Sequence, residues 1–229
     1  MYAESMNQKF PLASTAALIA DPARAAMLAA LLDARPRSAG ELARVANTSA
    51  QSASMHLSQL LTGGFLVVTQ QGRHRYYRIA SDRVAHAIEA LGTISTAPSF
   101  KPSVKDRDLC FARTCYDHLA GELGVKLTAA LERNRVIVPN GERDYDVTRR
   151  GAQFLAGWKI DTNFLRNTPR AFARRCLDWT ERRHHLAGAL GAAICQVFLE
   201  RRWITREKQT RIVHLSLTGQ RELAHLLKL

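Results

Sequence analysis

The sequence predicts a mainly α fold with small β-hairpins, an α+β chain in two parts. Three observations carry that expectation. Three apolar-periodic stretches, each opened by a capping signal, run from Asp21 to Leu61. Two β-rich runs, Phe65–Thr69 and Arg75–Ile79, follow on either side of Gly72. Beyond residue 109 the chain repeats itself. FARTCYD at 111–117 recurs as FARRCLD at 172–178, an offset of 61, and HLAGELG at 118–124 recurs as HLAGALG at 185–191, an offset of 67.

The first helix opens at Asp21, an N-cap, with Pro22 at the first helical position. Ala26, Leu28, Ala29, Leu31 and Leu32 line its apolar face, and Pro36 ends it. Ser38 and Glu41 stand at capping-box spacing before Leu42, Val45 and Ala46, which are expected to face inward. Thr48 and Gln51 read as a second box before Met55, Leu57, Leu60 and Leu61, and Gly63-Gly64 stops that helix. Two short helices across a tight turn, after a supporting helix, read as a helix-turn-helix. The β-rich pair, joined through Gln70–His74, reads as a wing, and a helix over Arg83–Leu91 closes the unit.

The succession ADPARAAML, SAGELA, TSAQSASMHLSQLLTGGFL and GRHRYYRIA, over about residues 12–92, resembles the ArsR family of winged-helix bacterial repressors. The resemblance implies a homodimer whose terminal helices pair. Each recognition helix would enter a major groove of double-stranded operator DNA, and each wing would reach the flanking minor groove. Metal-sensing members carry a cysteine pair that would fall at about Ser38 and Gly40, so that site is missing. Asp82, His86 and Glu89 only loosely imitate the closing-helix ligands of other members.

The residues support DNA recognition by their own chemistry. Ser49, Gln51, Ser52, Ser54, His56, Ser58 and Gln59 place short polar groups along the predicted recognition helix. Glutamine reads adenine bidentately, and serine and histidine bond to base edges or phosphates. Arg73, His74 and Arg75 at the wing tip are expected to contact phosphate and to position more than specify.

Charge points the same way. Lys+Arg 33 against Asp+Glu 20 gives a formal net charge of +13, which favours a polyanionic partner. Residues 1–97 hold 9 basic and 6 acidic groups (+3); residues 98–229 hold 24 and 14 (+10). No apolar run approaches the ~18–20 residues that span a bilayer. The polar first ten residues do not read as a secretory signal. Four cysteines are too few for a disulfide framework, which fits an expected cytoplasmic home. No Gly-rich phosphate loop follows a strand and no G-x-S-x-G occurs, so no enzyme is expected.

The expected division is a DNA-binding domain at 1–97 and a sensor domain at 98–229. The Pro/Ser/Thr-rich stretch 93–105 lies between them as a linker. The sensor domain is expected to hold two winged-helix-like repeats, about 109–168 and 169–229, the second carrying a six-residue insertion, roughly WTERRH. In each, a helix (Leu119–Glu132; Leu186–Arg201) precedes a strand, a polar turn, a second strand and a helical start. The repeats are expected to pack face to face and to bring their FAR-x-C-x-D segments to a shared interior, Arg113 and Arg174 clamping Asp117 and Asp178.

Four readings of those segments stay open: structural glue, an organic-ligand pocket, a metal site and a thiol switch. The pocket would use Phe111, Arg113, Cys115, Tyr116, Asp117, His118, Phe172, Arg174, Cys176, Asp178, Trp179 and His185. Zinc or another thiophilic metal would use Cys115, His118, Cys176 and His185, with Cys115-x-x-His118 on one helical face or turn. The function expected is that of a one-component repressor released by a small-molecule effector. A metal- or thiol-responsive repressor and a nucleoid-type architectural binder are the alternatives.

Overall fold

The computed structural model describes residues 11–94 and 107–227. The chain divides into two compact units, one ending at Ile88 and the other beginning at Glu89. Most of the expected linker lies outside the described residues; Thr93 and Ile94 belong to a helix. Among the described residues no single helix is long and apolar enough to cross a membrane.

The first unit runs α1 (Leu12–Ala20), α2 (Pro22–Ala30) with a 3-10 turn at Leu31–Asp33, β1 (Arg37–Ser38), α3 (Ala39–Val45), α4 (Ala50–Thr62), β2 (Leu66–Gln71) and β3 (His74–Ile79). It ends within α5 (Asp82–Ile94). Asp21 caps α2 by accepting from the Arg24 amide at 2.9 Å. Ser38 and Glu41 form the capping box: the Ser38 amide donates to Glu41 Oε2 at 2.7 Å and the Glu41 amide to Ser38 Oγ at 3.3 Å.

The second box does not form. The Thr48 amide closes the turn after α3 by donating to Ala43 O, so the cap moves one residue on. Ser49 takes it, accepting from the Ser52 amide at 3.1 Å. Met27, Leu28, Leu31, Leu42, Leu57 and Leu60 fill the core with Leu66 and Tyr77 from the sheet. Val45, expected inward, is 49% exposed, and Met55 is 55% exposed. The inward stripes are Ala39, Leu42 and Ala43 on α3 with Ala46 at its end, and Ala53, Leu57, Leu60 and Leu61 on α4, Ala39, Ala46 and Leu61 being only partly buried. Met55, two residues from Ala53, is turned to the opposite side.

The three strands are antiparallel in the order β1-β3-β2. Gln71 pairs with His74, so the wing closes on the two residues Gly72-Arg73, tighter than the five-residue connection expected. Gly72 takes φ +59, the left-handed conformation that a two-residue hairpin turn demands.

The second unit contains each repeat as hairpin, helix, hairpin, helix. The first runs α6 (Arg107–Phe111), β4 (Arg113–Cys115), β5 (His118–Ala120), α7 (Gly121–Arg133), β6 (Ile137–Asn140), β7 (Asp144–Val147) and α8 (Arg149–Gly157). After α9 (Thr162–Arg166) the second runs β8 (Arg174–Leu177), β9 (His184–Ala187), α10 (Gly188–Glu200), β10 (Ile204–Arg206), β11 (Val213–Leu215) and α11 (Leu217–Leu227). Corresponding residues make corresponding bonds. Thr148 Oγ1 accepts from the Gly151 amide and donates to Arg135 O; Ser216 Oγ does the same with Gly219 and Arg202.

The repeats do more than face one another. They exchange hairpins. The β6–β7 hairpin of the first repeat extends β8–β9 of the second into a four-stranded sheet. The β10–β11 hairpin of the second meets β4 of the first, through the Arg113–Ile212 bridge and bonds from Thr114 N to Arg211 O and from Val213 N to Ala112 O. Leu119, Leu123 and Leu127 of one copy pack with Leu186, Leu190 and Ile194 of the other in a single core. Each fully buried leucine there contributes about 1.5–3 kcal/mol. Trp158, Phe198 and Trp203 close its edge, with ring centroids 5.2–6.0 Å apart.

Candidate functional site

Two places hold the residues singled out above. The first is α4 with the wing. Gln51, Ser54, Met55 and Ser58 are all exposed, at i, i+3, i+4 and i+7, so they form one outward face of the helix. Met55 was missed by sequence reasoning, although its spacing from Gln51 places it on this face; a methionine there can meet a thymine methyl as apolar contacts do.

Ser54 Oγ donates back to Ala50 O at 3.0 Å, and other predicted positions also have local partners. Ser49 and Ser52 are bonded to each other at the cap, 3.0 Å between hydroxyls. His56 and Gln59 are engaged by Arg24, whose Nη1 donates to Gln59 Oε1 at 2.5 Å and lies 3.5 Å from His56 Nδ1. The same guanidinium donates to Leu18 O and Ala17 O, so it ties α1 to α4. Arg73, His74 and Arg75 are all exposed at the wing tip, and the Arg75 guanidinium lies 6.0 Å from the Tyr77 ring centre.

The second place is the seam of the two repeats. Cys115 and His118 are paired across β4–β5, and Cys176 and His185 across β8–β9. Cys115-x-x-His118 therefore spans a hairpin turn rather than a helical face. The four ligand atoms, one from each side chain, all lie within 4.8 Å of one another. The imidazoles meet Nε2 to Nε2 at 3.2 Å. Close approach of the repeats depends on glycine. A Cβ at Gly191 would stand 3.2 Å from His118 Cβ and 2.3 Å from Leu186 O; the matching Gly124 faces His185 Cβ at 3.5 Å.

Each imidazole has a carboxylate beside its other nitrogen. Asp117 Oδ1 is 3.4 Å from His118 Nδ1. Asp178 Oδ2 is 3.2 Å from His185 Nδ1, an ion-pair distance off the hydrogen-bonding line. Burial opposes charge on both imidazoles, but Asp117 and Asp178 carry both above the ordinary histidine value. Burial likewise opposes ionisation of Asp178, yet His185, Arg113 and Thr180 hold its carboxyl well below the usual range. A hydrogen bond from Cys115 draws the Cys176 thiol downward. Cys115 Sγ also lies 3.8 Å from Glu89 Oε2.

Supporting ion pairs differ from the expected clamps. Arg113 crosses to the other repeat, its Nη2 donating to Asp178 Oδ1 at 2.9 Å, with Trp179 stacked 4.9 Å away. Arg174 serves neither aspartate: it lies on the surface beside Asp144, because β8 turns it outward next to β7. Asp117 is held by Arg170, 2.6 Å from Nη1 to Oδ2. Glu89 is buried against Arg211 at 2.7 Å and accepts from Trp179 Nε1 at 2.8 Å.

The expected aromatic lining disperses. Phe111 and Tyr116 are exposed, and Phe172 lies under Arg166 at 4.0 Å. The void at the seam, between Leu119, Gly124, Leu127, Thr128, Leu186, Gly191 and Ile194, has room for about one water.

A helix-turn-helix domain family matches residues 19–69. The HTH-type transcriptional regulator YdfF of Bacillus subtilis is 43% identical over 212 residues, which cover 91% of this chain and 93% of that protein. Among solved structures, the homodimeric winged helix-turn-helix DNA-binding domain of a possible ArsR-family regulator from Mycobacterium bovis is similar, at 25% identity. It covers 41% of this chain and 82% of its own, with a TM-score of 0.36. The cadmium sensor CMTR of Mycobacterium tuberculosis is 32% identical over 40% of this chain and 96% of its own, with a TM-score of 0.32.

Proposed function

The chain belongs to the family of HTH-type transcriptional regulators, and on that premise we propose that it is a one-component repressor that grips operator DNA as a homodimer. The observation that carries this reading is the outward face of α4, Gln51, Ser54, Met55 and Ser58, beside a wing tip bearing Arg73, His74 and Arg75. The helix supplies base contacts in the major groove, and the wing supplies phosphate contacts that set register. Second-copy pairing is supported by α1, an apolar helix with no buried residue, whose Leu12 is 61% exposed.

In this reading residues 1–97 hold the operator and residues 98–229 receive the signal. A signal shifts repression only by its differential affinity for the DNA-competent and DNA-released states.

Selection of bound duplexes from a random library by the full-length protein tests the reading. The expected product is a two-fold related pair of half-sites about one helical turn, roughly 10 bp, apart. A flat sequence profile overturns operator recognition in favour of architectural binding.

A further inference from the structure

We propose that Cys115, His118, Cys176 and His185 form a tetrahedral site for one zinc-class divalent cation at the seam of the two repeats. Each repeat supplies one thiol and one imidazole from matching positions of matching hairpins.

The geometry fits the ion. Two nitrogens each about 2.0–2.1 Å from a tetrahedral zinc stand roughly 3.3 Å apart; the two Nε2 atoms are 3.2 Å apart. The two sulfur atoms complete the set within 4.8 Å. The outer partners fit too. A ligating histidine turns its other ring nitrogen to a carboxylate, which fixes the tautomer, and Asp117 and Asp178 occupy those places. With both imidazoles neutral and their Nδ1 atoms protonated, two Nε2 lone pairs face each other at this separation and repel unless a cation or a shared proton lies between them.

Charge balances. The cation displaces two thiol protons to solvent, so a dication with two thiolates and two neutral imidazoles is neutral in the buried seam. Arg113 and Arg211 already offset Asp178 and Glu89. Cys195, the other buried cysteine, matches Thr128 in the first repeat and lies outside the set.

The site stands without the operator reading; a signalling role for the ion rests on that reading. The test uses full-length protein stripped with chelator under reductant and titrated with cobalt(II) or zinc(II). The expected result is one ion per chain, with a sulfur-to-cobalt charge-transfer band and the intense visible bands of a tetrahedral centre. Cys115→Ser/Cys176→Ser loses the charge-transfer band, and Cys195→Ser keeps it. Asp117→Asn, a change at a positioning residue, weakens uptake about 10–100-fold. Thermal unfolding of the unaltered protein, read by tryptophan fluorescence, shifts upward with zinc even if the double variant fails to fold. No uptake, or no shift with zinc, overturns the site. In that outcome the histidines share a proton. Uptake with unchanged operator affinity leaves the site and overturns its signalling role.

Discussion

Asp117 and Asp178 occupy equivalent places in the two repeats, and the structure makes their removal unequal. Asp178 is 0% exposed and accepts from Arg113, the Gly121 amide at 2.8 Å and Thr180 Oγ1 at 2.7 Å. Asp178→Ala leaves the Arg113 guanidinium, 1% exposed, with only the more distant Glu89 carboxylate, 4.0 Å from Nε and already shared with Arg211. Breaking a buried pair from one side costs about 3–5 kcal/mol. At roughly 2–4 °C per kcal/mol for a unit of this size, the melting temperature falls by roughly 6–20 °C. Asp117 is 34% exposed and its partner Arg170 is 42% exposed, so Asp117→Ala removes a solvent-screened pair worth under about 1 kcal/mol. All three tryptophans, Trp158, Trp179 and Trp203, lie in the second unit, so their fluorescence follows that unit's unfolding. Both variants are compared metal-free, in urea and by heating. Arg113→Met/Asp178→Ala is expected to recover most of the loss, since the stranded charge is then gone. Equal losses at 117 and 178, or no recovery in the double variant, refute the reasoning.

Arg73→Ala and Arg75→Ala are each expected to lower the slope of log affinity against log salt by about one, measured by fluorescence anisotropy on a selected duplex; unchanged slopes remove the wing from the phosphates. Gln51→Ala is expected to flatten base preference at one position of each half-site, at about 1–3 kcal/mol of discrimination, whereas a uniform loss over all sequences argues against base reading. Gly191→Ala pushes a methyl to 2.3 Å from Leu186 O and is expected to cost about 1–3 kcal/mol in the second unit. Gly157→Ala meets nothing within 4 Å and is expected to hold or raise stability, so equal losses at the two glycines contradict the close packing at the seam.

Much of the first unit was legible because helix starts are local chemistry. Asp21, and Ser38 with Glu41, bond within three residues, and sequence spacing reports that directly. The repeat was legible because both copies satisfy the same bonds, as Thr148 and Ser216 show. What stayed hidden depends on distant partners. An alanine-bearing stripe displaced Val45 from the core, which residue size alone does not signal. The inequality of Asp117 and Asp178 comes from the insertion at 179–184. Its residues 179–183 lie in the loop between β8 and β9, where the Thr180 and Glu181 amides donate to Asp178, while the first repeat turns through Tyr116-Asp117 alone. The four-ligand cluster was named from residue type, but only the exchange of hairpins brings its halves to one place.

That exchange bears on what a half-length chain can be. A lone repeat would leave one hairpin without its neighbouring strand and its apolar helix open to water. It can satisfy both only by borrowing from another copy. Severed between residues 168 and 169, the two pieces are each other's missing template, and mixing them should restore what neither achieves in isolation.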